Sequence, residues 1–240
     1  HKEYRRQRQM CIRDRSCRSH TPIPILGKMF RYLASQTKTN ICCHVDHGYT
    51  LDECYEGIDS GFTSVMFDGS KLTLKENIKI SKKIASRAHK HNISVEGEIG
   101  FVGYDNGKIS EGTNIEDAVT FANKSNIDAM AISVGNTHLQ TSKKASIDFN
   151  KINLIEAKTK IPLVLHGSSG IPVEQRKKLA RKTKIAKLNI GTEIRMTFGE
   201  ALRKNLKNNP KTYDRLQLLK PTIKDLIKVT KKIIKQIGPN

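Results

Sequence analysis

The chain has 240 residues, 37% of them hydrophobic, enough for one sizeable core and better suited to a single α/β barrel than to two small domains. Nothing approaches the roughly 18 consecutive apolar residues of a membrane span, and no basic n-region leads into a hydrophobic one, so a cytoplasmic protein with no membrane partner is expected. A formal net charge of +20 raises nucleic-acid binding; yet no aromatic residues interleave with the basic ones and no zinc-finger spacing occurs, so no nucleic-acid partner is expected either.

Residues 1–20 hold seven basic and two acidic side chains, so +5 of the +20 lies there. The segment has no helical or strand period, and its Arg and Cys density differs from the Lys- and Ile-rich style after Thr21. Within it, "RQMCIRDRS" resembles translated adapter sequence. It is set aside as a non-native or disordered leader, with a basic nucleic-acid arm as the rival reading. Residues 21–240 are taken as one domain.

From Thr21 onward, short β-rich segments alternate with helical ones. The strand candidates are 41–44, 64–67, 94–99, 129–134, 163–166 and 186–190, each apolar enough to be buried on both faces. Thr73 with Glu76, and Thr113 with Glu116, have capping-box spacing, and Leu74, Ile78, Ile84 and Ala88 form one apolar stripe at helical period. Pro172 suits a first helical turn after "GSSG", and "KPTIKDLIKVTKKIIKQIG" reads as a terminal amphipathic helix that packs across the barrel or a neighbouring subunit. The alternation predicts βα units with right-handed crossovers and a parallel sheet, open or closed into a barrel.

His47, Glu98, His138, His166 and Asn189 fall at or just beyond the C-terminal ends of five different predicted strands, the face where loops of a βα barrel converge. Three imidazoles from separate strands, His47, His138 and His166, suit a zinc ion with open positions. A cluster of Cys42, Cys43, His44 and His47 is the rival, weakened because adjacent strand residues point to opposite faces. Five cysteines, an odd number, argue for reduced thiols. Asp46 lies near the metal without being forced to ligate it and can carry a proton. "LHGSSG" (165–170) and "NIGTEIR" (189–195) each follow a strand and precede a helix, so their N–H groups, with Ser169 and Thr192, make an anion site that suits phosphate. Metal, phosphate cradle and carboxylate together suggest aldol chemistry on a phosphorylated sugar through a stabilised enediolate. Another metal-dependent barrel enzyme is the alternative.

At these residues the sequence resembles the class II, zinc-dependent ketose-bisphosphate aldolases. "HVDHG", "GFTSVMFDGS", "VEGEIG", "VGNTH", "LHGSSG" and "LNIGTEIR" occur in that family's order and spacing, from Leu26 to the C-terminus. The resemblance implies a TIM (β/α)8-type barrel, a homodimer or homotetramer, and cleavage of fructose or tagatose 1,6-bisphosphate to dihydroxyacetone phosphate and glyceraldehyde 3-phosphate. It implies zinc on His47, His138 and His166, with Glu98 beside it and room for a second or a monovalent cation. Asp46 becomes the acid/base, while Gly167, Ser169, Asn189, Gly191 and Thr192 hold the dihydroxyacetone phosphate portion.

Three departures stand out. The acidic loop residue that relatives carry after a Gly-Gly stretch has its candidate here in Asp105, within "FVGYDNG" and out of register. Leu139 occupies a position where relatives often have Gly. The barrel's first two strands are expected to be missing, with the leader in their place; six strands cannot close in the usual way, so this chain is expected to fold poorly, or to open a sheet edge, and to be inactive.

Overall fold

A computed structural model describes residues 10–13, 20–104 and 112–238. The chain runs β1 (Met10–Arg13), α1 (Ile23–Ser35), β2 (Ile41–Gly48), α2 (Leu51–Asp59), β3 (Ser64–Phe67), α3 (Leu74–His89), β4 (Ser94–Ile99), α4 (Ile115–Lys124) and β5 (Ala129–Ile132). It continues with α5 (Phe149–Lys158), β6 (Leu163–Leu165), a 3-10 turn (Ser168–Gly170), α6 (Val173–Lys182), β7 (Ile185–Leu188), α7 (Thr192–Asn208), α8 (Arg215–Leu219) and α9 (Thr222–Ile237). All strand pairs are parallel and the sheet order follows the chain, β1 to β7. The sheet curls far enough for Lys187 on β7 to meet His44 on β2 at 3.1 Å and Glu96 on β4. It is a part-barrel with helices on its convex side.

The six expected strands are present, two of them (Ser64–Phe67 and Ser94–Ile99) with the expected ends and four with ends that differ. A seventh, β1, lies inside the segment set aside as a leader and pairs with β2 from Met10↔Ile41 to Arg13↔His44. "MCIR" is short and β-competent, and the N–H and C=O groups along β2 offer it a template. β2 also runs on to Gly48, past the expected end at 44, because a register shift between Val45 and Gly48 keeps it paired with β3.

Strand alternation sorts the two faces. Outward residues Val45, Val65, Phe67, Val95, Ile132, Leu163 and Leu165 pack against Ile84, Ala88, Phe121, Ile152 and Ile155 of the helices, all within a few per cent of full burial. Each such Val, Leu, Ile or Phe side chain contributes about 1.5–3 kcal/mol on leaving water. The inward face mixes the apolar Met66, Ala131 and Val164 with the polar His44, Asp46, Ser64, Glu96 and Glu98, all buried. Stability therefore comes from the sheet–helix layer, and the concave side is left for chemistry.

Two local expectations are corrected. Thr73 and Glu76 form a capping box, as do Thr50 and Glu53, but Thr113 does not cap α4. Asn114 does, while the buried Thr113 hydroxyl donates to the Ile99 carbonyl and accepts from the Ser133 amide, tying the ends of β4 and β5 together. The buried face of α3 is rotated from the expected stripe and includes Asn77 and Ser81, with Leu74 and Ile78 only partly covered. Asn77 is drawn inward because its amide donates to the Glu98 carbonyl at 2.8 Å. The terminal helix α9 packs on α7 and α6. Among the described residues no helix is long and apolar enough to cross a membrane.

Close packing gives a test with opposite signs at two helical glycines. A Cβ at Gly27 would lie 2.2 Å from the Ser60 carbonyl oxygen, whereas at Gly199 it would meet only the Arg203 guanidinium at 3.4 Å. Alanine gains about 1 kcal/mol over glycine in a helix, but overpacking costs about 1–3 kcal/mol. Gly199→Ala should raise the melting temperature and Gly27→Ala should lower it, as read by circular dichroism.

Candidate metal and anion site

The site begins with a backbone irregularity. In regular β2, Asp46 and His47 would point to opposite faces, yet both lie on the concave side, Asp46 reaching Asn189 and His47 packing against His166. The register shift, with His47 at φ +57°, turns its imidazole toward the concave side. Histidine adopts this left-handed conformation more readily than most residues, at a cost on the order of 1 kcal/mol. His47 Nδ1 is then 2.7 Å from Asp68 Oδ2, at the end of β3.

His166 follows β6 directly, and His138 sits in the loop after β5, where its amide donates to the Gly103 carbonyl and its ring lies against Tyr104. The ring centroids of His47 are 4.6 Å from His166 and 5.4 Å from His138. One nitrogen from each of the three lies within 4.8 Å of the others, a group that could hold a metal ion; His47, Asp68 and Glu98 form a second such group. Glu98 Oε2 is 3.5 Å from His166 Nδ1 and 3.6 Å from His47 Nδ1.

Below this layer Glu96 joins three strands. One oxygen is 2.9 Å from His166 Nε2 and the other 2.5 Å from Lys187 Nζ, which is itself 3.1 Å from His44 Nε2; His44 Nδ1 reaches Ser64 Oγ at 2.8 Å. A carboxylate on Nε2 fixes that nitrogen as the N–H, leaving Nδ1 with the lone pair. His166 Nδ1 is buried and makes no hydrogen bond, as an imidazole ready for a cation would be. The donor set fits a divalent metal.

Burial, then the neighbouring His47 imidazole, hold the His166 imidazole down at about 4, outweighing Glu96. Burial would push Glu96 up, but Lys187 and the His166 hydrogen bond keep it well below the usual carboxylate range. Asp68 is lowered in the same way, its burial overcome by His47 and Ser70.

The two loops expected to bind an anion lie beside this cluster. Gly167 is left-handed (φ +61°), and a Cβ there would sit 2.2 Å from the Thr137 carbonyl oxygen, in the loop that carries His138. Ser169 accepts from the Glu193 amide at 3.2 Å, keeping its own proton to donate. Gly191 precedes α7 and Thr192 is its first residue. Asn189 is buried after β7, with its amide 3.4 Å from Asp46 Oδ1. Every expected site residue except Asp105, which lies outside the described residues, thus falls at one mouth. Sequence reasoning passed over Asp68, Glu96 and Lys187. The spacing of Glu96 to Glu98 was the available signal, since i and i+2 in a strand share a face.

The profile of the family described as "Fructose-bisphosphate aldolase class-II" matches residues 10–240. The chain is 37% identical over 201 residues to a 6-phospho-5-dehydro-2-deoxy-D-gluconate aldolase of Shouchella clausii, covering 82% of this chain and 68% of that one. It is 34% identical over 202 residues to a fructose-bisphosphate aldolase of Staphylococcus aureus, covering 82% and 70%. Among solved structures, the fold matches the YdjI aldolase from Escherichia coli K12 with a TM-score of 0.77 at 24% identity, over 98% of this chain and 83% of that one.

The titration of His166 gives a direct test. Its unfolded value is 6.5 and its folded value about 4; between them the unfolded state binds the proton and the folded state does not, so stability is intact above the first and drains as pH falls toward the second. The melting temperature of metal-free protein should fall from pH 7 to pH 4, and His166→Gln should flatten that slope.

Proposed function

The chain belongs to the class II fructose-bisphosphate aldolase family, and from that premise we propose that it cleaves a phosphorylated ketose, reversibly, into dihydroxyacetone phosphate and an aldehyde. Membership makes it a lyase acting on a phosphorylated sugar. The observation that carries the finer reading is the meeting of three imidazoles beside Asp46. We take His47, His138 and His166, with Glu98 beside them, as the holders of a zinc ion, which an imidazole-rich set suits. When bound, it supplies Lewis acidity to the substrate's carbonyl and hydroxyl oxygens.

The chain's own groups do the rest. Asp46 takes the proton from the hydroxyl on the carbon whose bond breaks and returns it on condensation, with the Asn189 amide beside it. Gly167, Ser169, Asn189, Gly191 and Thr192 hold the phosphate and its three-carbon unit, using backbone N–H groups at the start of α7. Asp105 is proposed, from the sequence alone, as the acid exchanging the proton on the dihydroxyacetone carbon. The cytoplasm and a homodimer or homotetramer complete this reading.

The relatives' names narrow the substrate to a shared half. A 6-phospho-5-dehydro sugar acid and a fructose bisphosphate both carry a phosphate ester next to a ketone. The phosphorylated donor half is therefore the firm part of the proposal, and the aldehyde half distinguishes a ketose 1,6-bisphosphate from the deoxygluconate. Product analysis with fructose 1,6-bisphosphate, tagatose 1,6-bisphosphate and 6-phospho-5-dehydro-2-deoxygluconate should give dihydroxyacetone phosphate from at least one.

Cleavage should stop with chelator and with His166→Ala. Asp46→Asn should lower kcat by about 10²–10⁴-fold with little change in KM. Activity that survives chelation, or inactivation by borohydride in the presence of substrate, would point to a lysine Schiff base and against this mechanism.

A further inference from the structure

Arg176, on α6, is fully buried, and the reaction proposed above does not use it. Its Nε donates to the Ile171 carbonyl at 3.0 Å, at the end of the "GSSG" turn, and its Nη2 donates to Glu193 Oε2 at 2.8 Å. Lys143 approaches the other Glu193 oxygen at 3.4 Å. Glu193 is in the first turn of α7, and its amide is bonded to Ser169 Oγ, so this carboxylate belongs to the same helix start that the anion site uses.

The electrostatics of that helix start create a conflict. Free N–H groups and the helix dipole favour one negative charge there. A carboxylate in the first turn competes with a ligand phosphate for the same donors and repels it. The observed geometry resolves the conflict, because both Glu193 oxygens are engaged by cations from other elements.

We propose that Arg176 is a positioning residue that holds the Glu193 carboxylate aside and neutralises it, leaving the start of α7 open to the substrate's phosphate. This rests on the reading of that loop as a phosphate cradle. A guanidinium suits the task because it cannot lose its charge on burial and its planar fork fixes the carboxylate's direction. A purely structural role would make the pair replaceable without consequence for ligand binding, since buried ion pairs are often exchanged for apolar residues at no cost in stability.

The test is a double-mutant cycle on the full chain, read by calorimetric binding of inorganic phosphate and by KM and kcat for the cleaved substrate. Arg176→Met should weaken phosphate binding and raise KM by about tenfold, the size of an uncompensated like charge near the ligand, with kcat changed little. Adding Glu193→Gln to that variant should restore both values to near wild type, and Glu193→Gln alone should bind phosphate at least as tightly as wild type. The single Glu193→Gln variant keeps the test open if Arg176→Met fails to fold. Weaker phosphate binding by Glu193→Gln, or a folded Arg176→Met with unchanged affinity, would overturn the proposal, as would a double variant no better than Arg176→Met. If the wild type cleaves substrate but binds no phosphate, the cradle reading itself falls and takes this inference with it; that result is distinct, because it appears before any substitution is made.

Discussion

A carboxylate buried inside a curled sheet must find positive or hydrogen-bonding partners, and Glu96 finds them on three other strands. Its oxygens reach His166 after β6 and Lys187 on β7, and Lys187 reaches His44 on β2. Leaving such an ion unpaired would cost several kcal/mol after relaxation. No flat sheet could bring residues of β2, β4 and β7 together, because neighbouring strands alone are about 4.8 Å apart. The compensation of one charge and the curvature of the fold are thus the same fact. The arrangement also decides which nitrogen of His166 carries the proton, and so which one keeps its lone pair.

This constraint explains why the concave side adds little to stability and can still be ordered. The apolar layer between sheet and helices supplies the free energy of folding, with Phe67, Phe121, Ile152 and Leu163 at its centre. The polar interior is held by directional bonds whose failure is costly and whose net gain is small. Asp68 and Glu96 are each bonded to an imidazole and held charged, while burial and a neighbouring imidazole keep His166 neutral. That is the protonation pattern a cation site requires.

Much of this was legible in the sequence, for a specific reason. Parallel strands buried on both faces read as apolar runs, so a polar residue at or just past the end of each run stands out, as His47, Glu98, His138, His166 and Asn189 do. What stayed hidden depends on backbone detail and on non-local pairing. Alternation cannot foresee that His47 turns inward beside Asp46, because the bulge is set by pairing with β3. Thr113 has the spacing of a cap, yet the carbonyl of Ile99 and the amide of Ser133 claim its hydroxyl. Met10–Arg13 carries too weak a pattern to be read as a strand without the edge of β2 beside it.

Leu139 shows how a departure from relatives becomes a physical statement. It follows His138, has φ +57° and is half exposed. Glycine would adopt this backbone freely, whereas leucine holds it at a cost of about 1–3 kcal/mol. The cost is tolerable because His138 on one side is fixed by its bond to Gly103 and Gln140 on the other is buried against Gly170. The strained residue therefore lies between two anchored neighbours, one in the histidine cluster and one against the Ser168–Gly170 turn. The +20 charge acts at longer range: it reflects 43 Lys and Arg against 23 Asp and Glu, with Asp46, Glu96 and Glu98 buried, and a net positive surface favours the approach of anions. At short range, Arg176 and Lys143 hold Glu193, the carboxylate in the first turn of α7.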